Sequence, residues 1–329
     1  MKNLFVKDIK PGALVSDFFV LRKKELKEYD GQKFLKLELG DESGRIDAVL
    51  WEKGERFFKT AEVGEVVKVK GVALTYKNSL QLKLENLEKI TQGKIDPTDF
   101  LPKVEEDLDL LVEKFKSFAK SIKDLYLKNL LELFINDSNF MEKLKLAPGG
   151  KLWHHSFLGG LLKHTLKVAE LCEKAACMYP LVQRDLLLAG ALLHDIGKIT
   201  QFKTKGFIDY TDEGRLVGHV VSGYDILSQK IEKVKDFPQK LSLQLKHLIL
   251  SHQGELELAS PVVPQTIEAI ILHYADQMDA QADAFARIIE KHKALGEKWS
   301  NWVPLIKRFI YAGEEGLKEP VPLKQEEEE

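Results

Sequence analysis

His194 and Asp195 stand side by side at the end of an apolar run, "LLLAGALLHDIGK", with Lys198 three residues further on. An ionised carboxylate at the end of a core-bound helix is costly unless cations or donors meet it. Other side chains of the same chemistry follow a common pattern. His164 in "GGLLKHT", His219 in "GRLVGHVVSG", His252 in "LILSHQGE" and Asp276 in "ILHYADQMDA" all fall near predicted helix ends or in tight motifs. Every histidine lies at or beyond His154, and most of them between His154 and His273. Neighbouring residues of a helix diverge by about 100° around its axis. A metal lying between His194 and Asp195 can thus take one ligand from each, with other helices completing its shell. The mixed nitrogen and oxygen set suits Mn, Fe, Co, Ni or Zn and suits an all-oxygen Mg or Ca site poorly. No G-x-S-x-G or comparable nucleophile motif offers a different chemistry. The residues therefore point to metal-assisted hydrolysis.

The elements that must bring these donors together are helices. From Pro148-Gly149-Gly150 to about residue 312 the chain reads as successive helices, and residues 148–314 are assigned to one all-α domain. Residues 93–147 read as a helical connector, opened by Pro97 and Pro102 and carried by "VEEDLDLLVEKFKSFAKSI". Residues 1–92 read differently. "ALVSDFFVLRKKEL", "QKFLKLELGDESG", "RIDAVLW", "EVVKVKGVALTY" and "LQLKLENLEKI" alternate as strands do, with a short helix predicted in "EKGERFFKTAEVG". Leu35, Leu37 and Leu39 should share one face and Phe34, Lys36 and Glu38 the other. Five strands with a helix between the third and fourth is the order of an OB-fold barrel, and an SH3-like barrel is the alternative. The fold class is thus multidomain: a five-stranded OB-fold β-barrel followed by an all-α domain. Residues 315–329 form an acidic tail predicted to be disordered.

Composition narrows the setting. The net charge of −2 is uninformative, but the first 95 residues carry more basic than acidic side chains and the remainder the reverse. A polyanion at the N-terminal part is compatible with that asymmetry. Cys172 and Cys177 fit no zinc or redox spacing and read as core thiols in a reducing compartment. The polar start "MKNLFVKDIKPG" and the lack of an apolar run of roughly 18–20 residues exclude a signal peptide and a membrane span. A cytoplasmic protein with no membrane partner is expected. The apolar connector could form contacts between subunits, so a homo-oligomer is among the expected states.

The order His164, His194-Asp195, Asp276, with "LLHDIGK" at its centre, resembles the HD-domain superfamily of metal-dependent phosphohydrolases over roughly residues 150–280. Histidines matching His219 and His252 resemble its two-metal members. Together with the barrel, the stretches "LGGLLKHT", "YTDEGRLVGH" and "SPVVPQTIEAIILHYADQMDA" resemble the YhaM family of 3′→5′ exoribonucleases along nearly the whole chain. That resemblance implies a first metal held by His164, His194, Asp195 and Asp276. Asp195 would bridge to a second, also held by His219 and His252. Manganese is favoured, with Fe²⁺, Co²⁺ or Ni²⁺ as alternatives. Two ions about 3.5–4 Å apart can hold a hydroxide and stabilise the attacking and leaving oxygens of an in-line displacement. Where the family carries a second histidine after the one matching His252, this chain has Gln253.

Lys198 is placed to meet the scissile phosphate as a point charge. His154 and His155 are candidates for contacting phosphate or protonating the leaving oxygen, and His155 is assigned to catalysis with Asp195 and Lys198. His247 and His273 read as core or supporting residues, and His292 as a surface residue. In the barrel, Trp51 and Tyr76 are expected to stack on bases while Lys36 and Lys77 track the phosphates. The implied activity is removal of nucleoside 5′-monophosphates from the 3′ end of single-stranded RNA. Single-stranded DNA is a further substrate, since no motif reads a 2′-hydroxyl. Two other readings stay open: an HD phosphohydrolase acting on small nucleotides or cyclic dinucleotides, and a nucleic-acid-binding protein whose HD domain is inert.

Overall fold

The computed structural model describes residues 2–76, 79–90, 99–151, 153–204 and 206–313. Strands β1 (Leu14–Tyr29), β2 (Gln32–Asp41), β3 (Gly44–Leu50), β4 (Val66–Tyr76) and β5 (Ser79–Lys89) close into a barrel in the order β1-β2-β3-β5-β4. Helix α1 (Gly54–Thr60) sits between β3 and β4. All neighbours pair antiparallel except β3 and β5, which run parallel from Asp47↔Gln81 to Leu50↔Leu84. This is the OB-fold, and the alternation of the strands explains it. Leu35, Leu37 and Leu39 point inward and are buried with Phe19, Leu82 and Leu87. Strand β4 turns a corner at a bulge between Lys70 and Gly71. A Cβ at Gly71 would come within 2.3 Å of the Lys83 carbonyl oxygen, so the close crossing of β5 demands glycine.

Helices α2 (Leu108–Ser121), α3 (Leu125–Ile135) and α4 (Ser138–Leu146) follow, each opened by an aspartate whose side chain accepts from the first-turn amides. Then come α5 (Gly160–Met178), α6 (Arg184–Leu193), α7 (Lys198–Gln201), the two-residue strands β6 (Phe202–Lys203) and β7 (Asp209–Tyr210), α8 (Asp212–Leu216), α9 (His219–Ile231), α10 (Gln239–Ser251) and α11 (Ile267–Ala294). The helices expected as a connector share one core with the helices that follow. Phe115, Leu131 and Phe134 are buried together with Leu162, Leu187, Leu192 and Leu248. Part of the connector's apolar surface is thereby used within the chain, while Leu110 and Leu125 stay exposed.

Three local expectations need correction. Residues 299–311 are not helical but pair as Trp299↔Tyr311 and Val303↔Arg308, because Gly296, at φ 71°, and Pro304 interrupt any helical run. Cys172 is buried, and burial pushes its thiol up to about 12, whereas Cys177 is exposed in the last turn of α5. His292 is buried, because the chain after α11 folds back and Glu297 bonds both its ring and its carbonyl.

The barrel docks on the hairpin formed by β6 and β7. Phe207 at its tip packs against Val20, Val66 and Phe100. Gly206, at φ 82°, passes so close to Gly64 that a Cβ would stand 2.2 Å from the Gly64 carbonyl oxygen. The hairpin follows α7 directly, so the barrel touches the segment next to the helix that carries Lys198.

Candidate metal centre

Helix α6 is buried from Leu186 to Leu193 and ends in His194, which keeps helical geometry as its C-cap. The chain then turns through Asp195, Ile196 and Gly197. A Cβ at Gly197 would lie 2.0 Å from the His219 carbonyl oxygen, so glycine is what lets α9 begin against this turn. Gly218, at φ 80°, turns the chain at the other side of that contact. His164 comes from the buried face of α5, His252 from the C-cap of α10, and Asp276 from the buried face of α11. Six side chains predicted as metal ligands therefore meet in one place.

Their ring orientations follow from backbone and carboxylate acceptors. His194 Nδ1–H donates to the Ala191 carbonyl at 2.8 Å, and His252 Nδ1–H to the Ile249 carbonyl at 2.7 Å. His164 Nδ1–H donates to Asp279 Oδ2 at 2.7 Å. Each bond leaves Nε2 facing inward, the arrangement that metal-ligating histidines use.

Asp195 lies between two sets of donors. Its Oδ2 is 3.4 Å from His194 Nε2 and 3.5 Å from His164 Nε2, while its Oδ1 is 3.3 Å from His219 Nε2 and 3.4 Å from His252 Nε2. Asp276 Oδ1 joins the first set, 3.1 Å from His164 Nε2. Ligand bonds of about 2.0–2.2 Å put neighbouring donors of one ion roughly 3–3.5 Å apart, which is the spacing found here. Both oxygens of Asp195 are buried without a hydrogen-bond partner. Lys198 Nζ stands 2.6 Å from Oδ2 as an ion contact. Burial alone would raise the Asp195 pKa, but Lys198 and His194 hold it well below the usual carboxylate range.

The two sets differ electrostatically. Burial opposes protonation of His164, yet Asp276 and Asp279 raise its pKa to about 9. Burial pushes His219 down to about 3. His219 is also the most open of the imidazoles, with 18% of its side chain exposed against none for His164, His194 and His252. The centre therefore opens on the His219 side.

Behind the first set lies a layer that the sequence reading missed. His155 Nε2–H donates to Asp279 Oδ2 at 2.7 Å, and its backbone amide donates to Asp283 Oδ2 at 2.9 Å. Arg287 in turn holds Asp283 at 3.1 Å. His155, His164 and Asp279 also lie close enough to bind an ion together, but N–H···O bonds already use the facing atoms. His155 thus supports Asp279, which supports His164. Asp276, Asp279 and Asp283 recur at i, i+3 and i+7 on α11, a spacing that could have exposed this layer. His273 adds to it by donating from Nδ1 to the His252 carbonyl at 2.8 Å, while His247 accepts from the Gln265 amide at 3.0 Å. His154 is different: both ring nitrogens are buried without a partner, 5.4 Å ring to ring from His164. Burial pushes its pKa down to about 2, which keeps it neutral.

On the barrel, a groove of about 810 Å³ runs between the end of β1 and the facing ends of β4 and β5, the face that OB-folds use for nucleic acid. Phe34, Lys36, Trp51, Tyr76 and Lys83 line it. Trp51 stacks on Phe34 with ring centroids 4.5 Å apart, and Lys36 lies 3.8 Å from Asp47. Lys77 lies outside the described residues.

Comparison with known proteins accords with both regions. The model for the HD domain matches residues 161–281, and that for an OB-fold nucleic acid binding domain matches residues 19–90. The 3′-5′ exoribonuclease YhaM of Bacillus subtilis (strain 168) is 32% identical over 285 residues, covering 86% of this chain and 89% of that protein. The chain belongs to the YhaM family. Among solved structures, the second OB-fold domain of replication protein A from Methanococcus maripaludis is similar at 17% identity. That likeness covers 28% of this chain and 99% of that one, with a TM-score of 0.24. The HD match and the paired His/Asp clusters make the centre of this YhaM-family chain a divalent-metal site. No helix among the described residues is long and apolar enough to cross a membrane.

Proposed function

We propose that this protein is a metal-dependent 3′→5′ exoribonuclease of the cytoplasm that releases nucleoside 5′-monophosphates from single-stranded RNA. The observation that carries this reading is the buried Asp195 carboxylate, with one oxygen toward each of two histidine sets and the Lys198 ammonium beside Oδ2. His164, His194, Asp195 and Asp276 would hold one ion, and Asp195, His219 and His252 a second, with Mn²⁺ favoured by the family resemblance. Bound ions would supply an activated water and neutralise charge on the phosphate. Asp279 and His155 hold the His164 ring with its Nε2 turned toward the ion position. Lys198 offers an ammonium to a phosphate oxygen, and His154 offers a neutral imidazole to the same group. The barrel groove would hold the strand by stacking bases on Trp51 and Tyr76, with Lys36 beside the backbone. The relative's name supports RNA as the strand, and the groove's position on the barrel supports a single-stranded nucleic acid.

A time course on 5′-labelled single-stranded RNA tests the reading. With Mn²⁺ the label should pass through a ladder shortening from the 3′ end, and a chelator should stop it. RNA left intact under every divalent metal would sink the proposal.

A further inference from the structure

Gln253 follows the second-set ligand His252, and its side chain reaches back into the centre. Its amide nitrogen lies 3.0 Å from His252 Nε2 and 3.4 Å from His219 Nε2. His252 uses its Nδ1–H on the Ile249 carbonyl, which turns its Nε2 into the centre. The amide therefore stands against the two Nε2 atoms that a cation of the second set would take.

We infer that Gln253 is a ligand of the second ion through Oε1, an assignment that rests on the two-ion reading above. Amide oxygen and nitrogen are nearly isosteric, and half a turn of the terminal torsion exchanges them. With nitrogen inward, the amide satisfies His219 and His252. With oxygen inward, it presents a neutral oxygen donor beside Asp195 Oδ1. Among the described residues no side-chain amide is hydrogen-bonded to His164 or His194, whose set is completed by the Asp276 carboxylate. The second set thus holds one carboxylate shared through Asp195 and a carbonyl oxygen, where the first holds two carboxylates. It also has N–H donors to displace before an ion binds. The two ions bind unequally for these reasons, the first more tightly, and Gln253 sets the affinity of the second alone. Oxygen ligation further tilts the second position toward Mn²⁺ over softer metals.

Metal binding, read without turnover, tests this. Full-length protein stripped with chelator is titrated with Mn²⁺, following free ion by electron paramagnetic resonance and confirming the fold by circular dichroism. The wild type should take up two ions in two steps. Gln253→Ala should weaken the second step roughly 10- to 100-fold and leave the first unchanged. Gln253→Glu, which keeps the oxygen and adds charge, should tighten the second step. An unchanged or tighter second step in Gln253→Ala would overturn the ligand role while two steps in the wild type leave the two-ion reading standing. A single step in the wild type would overturn both.

Discussion

The barrel groove and the helical metal centre handle polar groups in opposite ways. In the groove, lysines stay half in water and in loose ion pairs, such as Lys36 with Asp47 at 3.8 Å. Its aromatic side chains lie on a curved sheet, with Tyr76 more than half exposed. In the metal centre, His164, His194 and His252 are fully buried, and every inward nitrogen is fixed by a bond on the far side of its ring. The difference teaches what each task needs. A strand that slides requires many weak, sequence-tolerant contacts, so exposure and adaptability serve it. Hydrolysis of one bond requires donors held in place, and burial with a backing layer provides that rigidity.

That contrast can be broken most severely at Asp195. Asp195→Ala removes the group common to both sets, so RNA hydrolysis should fall by more than about 10³-fold, given several kcal/mol of charge stabilisation. Metal per chain, measured by mass spectrometry, should fall too, while the barrel keeps its fold. Normal turnover in that variant would remove the metal-centre proposal. A smaller effect is expected one layer out. Asp279→Ala frees the His164 ring without deleting a ligand, and outer-layer losses of this kind cost roughly 10- to 100-fold in metal affinity. Asn, which keeps an oxygen acceptor for His164 Nδ1–H, should recover part of that loss, whereas a purely structural role for Asp279 predicts no recovery of metal affinity.

The groove should show the mildest and most selective change. Trp51→Ala gives up about 1–3 kcal/mol of stacking per base, or roughly 5- to 150-fold in Kd for a long strand. Cleavage of a dinucleotide too short to reach the groove should stay as in the wild type. Equal losses for both substrates would mean that the groove is not a separate grip.

Much of this arrangement was legible in residue order. Strand alternation at Leu35, Leu37 and Leu39, and the turn chemistry of "GDESG", are local signals, and the barrel follows them to within a few residues. "LLHDIGK" and the spaced histidines named the ligands because their chemistry has few other uses at the end of a buried helix. The hairpin at Phe207 was not legible. Its strands have only two residues each, and they are held by contact with a barrel more than a hundred residues earlier.

The sequence by itself thus determined the two folding patterns, the donor types and the family. The tertiary structure decided which nitrogen of each histidine faces Asp195, that His155 backs Asp279, and that Gln253 reaches His219 and His252. The physical reason lies in range. Periodicity and motif are written between residues a few positions apart, where one helix or strand sets the geometry. Ring orientation and convergence depend on how helices distant in sequence pack, and Gly197 at 2.0 Å from the His219 carbonyl acquires its meaning only when α9 lies across it.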